Sequence, residues 1–222
     1  EFNTHRVFSR NSASSRAIPA KKMLEWVTDI PFVPDRFPRD HKGMQADEWV
    51  YPEDSEYELW EKSWLESRDE AVKKSRLLND MGISKQLTNR LIEPFLMHRV
   101  IVTATEWENF FALRADTPAQ NEIKVIAEMM LESVNESIPR RLCAGEWHLP
   151  FGDRIDRDKL RKLLSDEFPS IEELETAVVT ARCARVSYFN FEGKDDYAAD
   201  LRLYGQLKAS GHMSPFEHAA RA

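Results

Sequence analysis

The chain is poor in cysteine: only Cys143 and Cys183 occur in 222 residues. Two thiols cannot build the disulfide framework of a small secreted scaffold, and a reducing compartment such as the cytoplasm is the expected setting. Long apolar runs are also missing. None approaches the ~20 residues that a membrane-spanning helix needs, so no membrane role is expected. There is no basic excess either. With 31 Lys and Arg against 38 Asp and Glu, the net charge is -7, which argues against a general nucleic-acid coat protein, because neutralising phosphates takes surplus cations. No glycine-rich phosphate loop, no Cys pair and no Ser/His/Asp set in a recognisable context is present.

What the chain does have is core material. Hydrophobic residues make up 42% and aromatics 10%, enough to exclude global disorder. The length suits one domain or slightly more. The chain opens at Glu1 inside a patterned stretch and stops at Ala222 just after a dense motif. Residues 1–222 therefore read as a single domain cut at both ends.

Local signals predict mostly helix with a small sheet. Residues 1–30 read as a loop or short helix, then an amphipathic helix near 21–27. Pro31, Pro34, Pro38 and Pro52 make 31–55 an irregular excursion. Trp60 and Trp64 at helical spacing predict a helix over about 55–80 stopped by Gly82. Ser84 is a cap for a helix that presents Leu87 and Leu91 on one face and ends at Pro94. Residues 100–105 fit strand or helix equally. Thr105 with Glu108 predicts a helix from about 106. Thr117, Pro118 and Gln120 predict another, with Ile123, Ile126, Met130 and Val134 inward. Ser170 with Glu173 opens a helix to about 187, and a last one runs from about 195 to 210 before Gly211.

Four segments offer chemistry. In residues 4–16, His5, Arg6, Arg10 and Arg16 are interleaved with Ser and Asn, which is either a phosphate cradle or a solvated basic loop. Arg114 lies between two helix signals, either beside the amides of the next helix for an anion or capping its own helix and pairing with Asp116. In Gly211–His218, the two histidines flank a proline and lack His-Glu-x-x-His spacing, so no metal site is expected and a loop offering Ser214 and Glu217 to a polar ligand is the better reading. His148 beside Trp147 reads as packing.

Taken together, these segments resemble the flavin-dependent thymidylate synthases. The family signature reads Arg-His-Arg, then Ser, Asn-Glu, Ser and Arg-Tyr; Thr4-His5-Arg6, Ser9, Asn11-Ser12, Ser14 and Arg16-Ala17 hold that spacing. A helix ending in Leu-Arg and followed by Ala-Gln-x-Glu-Ile is matched by Asn109, Leu113-Arg114, Ala119-Gln120 and Glu122-Ile123. Ala184-Arg185-Val186-Ser187 matches Ala-Arg-x-Ser, and residues 211–218 match Gly-His-x-Ser-Pro-Phe-Glu-His. The likeness leaves out 31–80 and 140–170. The last two motifs normally precede the Arg-His-Arg signature, so the order looks circularly permuted, as in a branch found in phages and actinobacteria.

The resemblance implies an α/β (α+β) fold, with helices around a central, curved antiparallel sheet, and a homotetramer with shared active sites. It implies conversion of dUMP to dTMP, with methylenetetrahydrofolate as one-carbon donor, FAD as cofactor and NADPH as its reductant, without a cysteine nucleophile. By position Arg114 would be catalytic, polarising the uracil. Ser14, Ser15, Arg16, Arg90 and Arg114 would bind dUMP, and His5, Arg6, Asn109, Ser187, His212, Ser214 and Glu217 would contact FAD. Departures are Thr4, Ser12 and Ala17 in the signature, Thr103 and Thr105 near flavin-binding Asn and Arg, and Pro118 in place of His. They leave a dUMP hydroxymethylase on the same scaffold as an alternative. From other classes, an Arg/Ser nucleic-acid-binding arm predicts salt-dependent oligonucleotide binding without flavin, and a metal hydrolase using His212, Glu217 and His218 predicts stoichiometric metal.

Overall fold

The computed structural model describes residues 8–43, 46–187 and 196–222. The elements in chain order are β1 (Ser9–Ser12), α1 (Ala20–Asp29), β2 (Phe37–Pro38), β3 (Trp49–Val50), α2 (Tyr57–Asp80), α3 (Lys85–Thr88), a 3-10 stretch (Asn89–Phe95), β4 (Val100–Thr103), α4 (Glu108–Arg114), α5 (Asn121–Glu136), β5 (Trp147–His148), α6 (Arg157–Arg161), α7 (Ile171–Ala184), a 3-10 turn (Arg185–Ser187), α8 (Tyr197–Ala209), a 3-10 segment (Ser214–His218) and β6 (Ala220–Arg221). The chain is thus α+β and mainly helical. Where a central curved sheet was expected, the described residues form three separate antiparallel pairs, β1 with β4, β2 with β3 and β5 with β6. Within the described residues no helix is long and apolar enough to cross a membrane.

The chain divides into two compact units. Among the described residues, the first is built from Ser14–His98 and Trp107–Ser137, the second from 8–13, Arg99–Glu106 and Ile138–Ala222.

In the first unit, α1 buries Met23, Leu24 and Val27. α1 packs on α2, which buries Val72, and on the 3-10 stretch, which buries Ile92 and Phe95. Aromatic residues anchor the proline-rich excursion. Phe32 and Phe37 meet Trp64 edge-on, and the Trp64 indole donates to Phe32 O at 2.8 Å. Gly82 stops α2 at a left-handed φ of 85°, and the Ser84 hydroxyl accepts from Gln86 N, as the local signals predict. Leu87 and Leu91, by contrast, lie exposed, and Thr88, Asn89, Ile92 and Phe95 face the core. Leu87 in α3 and Leu91 in the 3-10 stretch thus share the exposed side, and Pro94 sits inside that stretch instead of ending it.

Two helix starts are also later than predicted. α4 begins at Glu108 with no side-chain cap, since Trp107 takes the cap position and stacks on Phe111 at 5.8 Å. α5 begins at Asn121, with Gln120 at the cap position and no side-chain cap, while Thr117 N donates to the Asp116 carboxylate. On α5 the buried side is Asn121, Ile123 and Ala127; Met130 is half-buried, while Ile126 and Val134 are exposed.

In the second unit, β1 and β4 pair from Ser9↔Thr103 to Ser12↔Val100, which makes 100–103 strand and replaces the loop or helix expected over 9–12. α7 is capped as predicted, with Ser170 Oγ accepting from Glu173 N at 3.2 Å. Its apolar residues Leu174, Ala177 and Val178 pack with Leu160, Phe168 and Tyr197 to form the core. α8 ends before Gly211, whose φ of 68° suits a helix stop.

Candidate functional site

The two units gather different subsets of the candidate residues. In the first, the Ser14–Arg16 segment is a tight turn, with Ala17 N and Ile18 N both donating to Ser14 O. Asn89 Nδ2 donates to Ser15 O at 2.7 Å and to Ile18 O at 3.3 Å. Lys85 Nζ donates to Ala17 O at 2.8 Å, and the Ser15 hydroxyl donates to the Glu93 carboxylate. The turn is therefore bound to the stretch that carries Arg90. Arg16 and Arg90 are both exposed, Ser14 and Ser15 half-buried. Arg90 Nε donates to Gln86 O. Two guanidinium groups on tethered backbone segments suit an anion, since each can offer a planar pair of donors to phosphate oxygens. Arg114 is the half-buried last residue of α4, where a cation also complements the helix C-terminus, and Asn109 is exposed on the same helix.

In the second unit, a polar cluster surrounds the β1–β4 ladder. Asn11 Nδ2 donates to Cys183 O at 3.4 Å, and Ser214 Oγ donates to Asn11 Oδ1 at 2.9 Å. His218 is fully buried and shares a 2.8 Å hydrogen bond with Thr103 Oγ1 through Nδ1. Ser214 is half-buried, while His212 and Glu217 are exposed on the same loop. Ser187 closes the turn that follows α7. His5 and Arg6 lie outside the described residues. An exposed imidazole, a hydroxyl and a carboxylate clustered on one loop match the polar groups of a dinucleotide, so Ser214, His212 and Glu217 fit a flavin nucleotide chemically. They do not fit the metal-hydrolase alternative, because His218 is turned inward to Thr103 while His212 and Glu217 face solvent. Among the described residues no group of three His, Cys, Asp or Glu is placed to hold a metal.

Burial pushes the Cys183 thiol up to about 12, so it remains protonated at neutral pH and is not a nucleophile. Burial lowers the pKa of His218 below its usual 6.5, with Glu217 partly opposing the shift. A histidine depressed in the folded state takes up its proton more readily when unfolded. Its contribution to stability is complete above 6.5 and is lost as pH falls from 6.5 through the lower folded value. Urea unfolding of the protein should therefore show a midpoint that drops between pH 7 and 5. His218→Gln should flatten that part of the profile, and an unchanged slope would remove His218 as its cause.

Sequence reasoning missed Lys85, Asn89 and Glu93, whose role is to hold other residues, and it did not foresee that Thr103 pairs with His218. Only the adjacency of Asn89 to Arg90 hinted at the first group. No curated protein and no solved structure matches the chain. A family model described as "Thymidylate synthase complementing protein" matches residues 1–140, a span that takes in the 31–80 stretch where the motif likeness is absent. Matching well over half of the chain, it shows that the protein belongs to the flavin-dependent thymidylate synthase family.

Proposed function

We propose that the protein converts dUMP to dTMP, with methylenetetrahydrofolate supplying the carbon, in a single catalytic domain that assembles as a homotetramer. The observation that carries this reading is the tethered pair of cationic segments, Ser14–Arg16 and the stretch bearing Arg90, inside the span that matches the family. The matched span ends before residues 184–187 and 211–218, as a permuted motif order would leave it.

In this mechanism Arg16 and Arg90 bind the nucleotide phosphate. The Ser15 hydroxyl proton is committed to Glu93, so Ser15 contributes by holding the turn. Arg114 places a fixed positive charge beside the uracil as N3 loses its proton, and it stabilises the anion that makes C5 nucleophilic. Asn109, Ser187, His212, Ser214 and Glu217, with His5 and Arg6, are the residues that would hold FAD. FAD, reduced by NADPH, supplies the hydride that completes the methyl group. The buried, protonated Cys183 is consistent with chemistry that needs no thiolate.

The test is turnover of dUMP with FAD, NADPH and methylenetetrahydrofolate, the product being weighed by mass spectrometry. A methyl product supports the reading. A hydroxymethyl product reassigns the protein as a hydroxymethylase, and no product under saturating cofactors rejects both. Arg16→Ala should raise the KM for dUMP by about tenfold or more, the loss expected for a charge-assisted phosphate contact. Its FAD requirement should stay within about twofold on the same energy scale. An unchanged KM would take Arg16 out of the site.

A further inference from the structure

Asn89 opens the 3-10 stretch with its side chain fully buried. Its amide nitrogen serves two backbone carbonyls, those of Ser15 and Ile18. Its Oδ1 is buried and meets no hydrogen-bond partner among the described residues. A buried acceptor left unpaired weakens the folded state, and an apolar side chain of similar size would avoid that loss. Asn89 is thus a poor choice for stability alone, and what it supplies instead is geometry.

The neighbours act in the same direction. Lys85, Asn89 and Glu93 recur every four residues along one side of the helical stretch, and each holds a different point of the turn: Ala17 O, the Ser15 and Ile18 carbonyls, and the Ser15 hydroxyl. The central member has two bonds and is the one wholly removed from water. Arg90 follows it directly in the chain, and Arg16 lies between the carbonyls it binds. Shifting Asn89 would shift both arginines relative to each other.

We infer that Asn89 is a positioning residue of the nucleotide site, locking the Arg16 turn to the Arg90 segment so that both guanidinium groups meet one phosphate in a preformed register. This rests on the proposed reading that these arginines hold dUMP. Preformed cradles bind more tightly because the ligand does not have to order them.

The decisive variant is Asn89→Leu, which keeps the volume, removes both donated bonds and also removes the unpaired acceptor. Calorimetric titration with dUMP, the KM and kcat for dUMP, and the thermal midpoint are measured together on the full chain. The expected result is dUMP affinity weaker by about tenfold with kcat nearly kept, the scale of a lost hydrogen-bond pair, and a thermal midpoint that moves little, because removing the unpaired Oδ1 offsets the loss of the donors to the Ser15 and Ile18 carbonyls. A merely structural asparagine gives the reverse, a lower midpoint with dUMP affinity unchanged, and that overturns the inference.

Should Asn89→Leu fail to fold, Lys85→Met tests the same clamp from its accessible end. It should weaken dUMP binding by about threefold, a few tenths of the same energy scale, with Lys85→Arg restoring it; unchanged affinity in Lys85→Met overturns the clamp. If the wild-type protein itself does not bind dUMP, the proposed function falls and the inference falls with it. If the wild type binds and Asn89→Leu binds equally well, only the inference falls.

Discussion

Replacing Arg114 by alanine is expected to lower turnover by about 10²–10³-fold, the usual effect of deleting one preorganised group that stabilises developing charge. The chain should nevertheless stay folded. Arg114 is half-buried at the C-terminal end of α4, and α4 is anchored from elsewhere on its surface. Phe110 is fully buried, and the Trp107–Phe110–Phe111 cluster joins its rings at 5.5 to 5.9 Å. Losing a cation from the helix terminus costs only about 0.3–1 kcal/mol. A fall in kcat with a nearly constant thermal midpoint is therefore the signature, and Arg114→Lys separates charge from shape. Lysine keeps the charge but not the planar donor pair, so partial recovery points to electrostatics and no recovery to bidentate geometry. Wild-type turnover in Arg114→Ala would sink the assignment of the catalytic residue.

The pattern of agreement with the sequence follows the range of the forces involved. The Ser84 and Ser170 caps and the stops at Gly82 and Gly211 depend on one to four neighbouring residues, and all four appear in the structure as read. The starts near 106 and 117 failed because neither threonine caps: both helices begin later, at Glu108 and Asn121, without a side-chain cap. Leu87 and Leu91 do share a side, and it is the exposed one, because Thr88, Ile92 and Phe95 fill the core. β1 was invisible because its partner lies some ninety residues away at β4, and pairing over that span leaves no local trace.

The candidate site was legible as strings of residue types. What those residues touch was not, since Asn89 and Glu93 reach the Ser15 turn across more than seventy residues of chain.

The largest stability effect is expected in the second unit, at Asp200. Its carboxylate is fully buried on α8 and lies 3.4 Å from Arg182 Nε, with a second hydrogen bond from Arg185. Arg182 is itself buried and stacks over the Tyr197 ring at 5.4 Å. Asp200→Ala would take a fully buried carboxylate away from both Arg182 and Arg185. Breaking a buried pair from one side costs about 3–5 kcal/mol, a large part of the 5–15 kcal/mol that typically holds a domain together.

Removing both charges should behave differently. In Arg182→Met/Asp200→Leu the two most buried charges go together and only the more exposed Arg185 loses its carboxylate, so much of the lost stability should return, because an apolar pair of similar volume avoids the desolvation that the ions suffer. Urea unfolding of the two single variants and the double variant measures this directly. Single losses that simply add would show that the residues do not interact, and would end the argument. The pair also bears on the site. α7 runs directly from Arg182 into the turn that carries Ser187, and Arg185 of that turn holds the same carboxylate. A protein that survives Asp200→Asn should therefore lose flavin retention before it loses its fold, and retention equal to wild type would show that the buried pair serves stability alone.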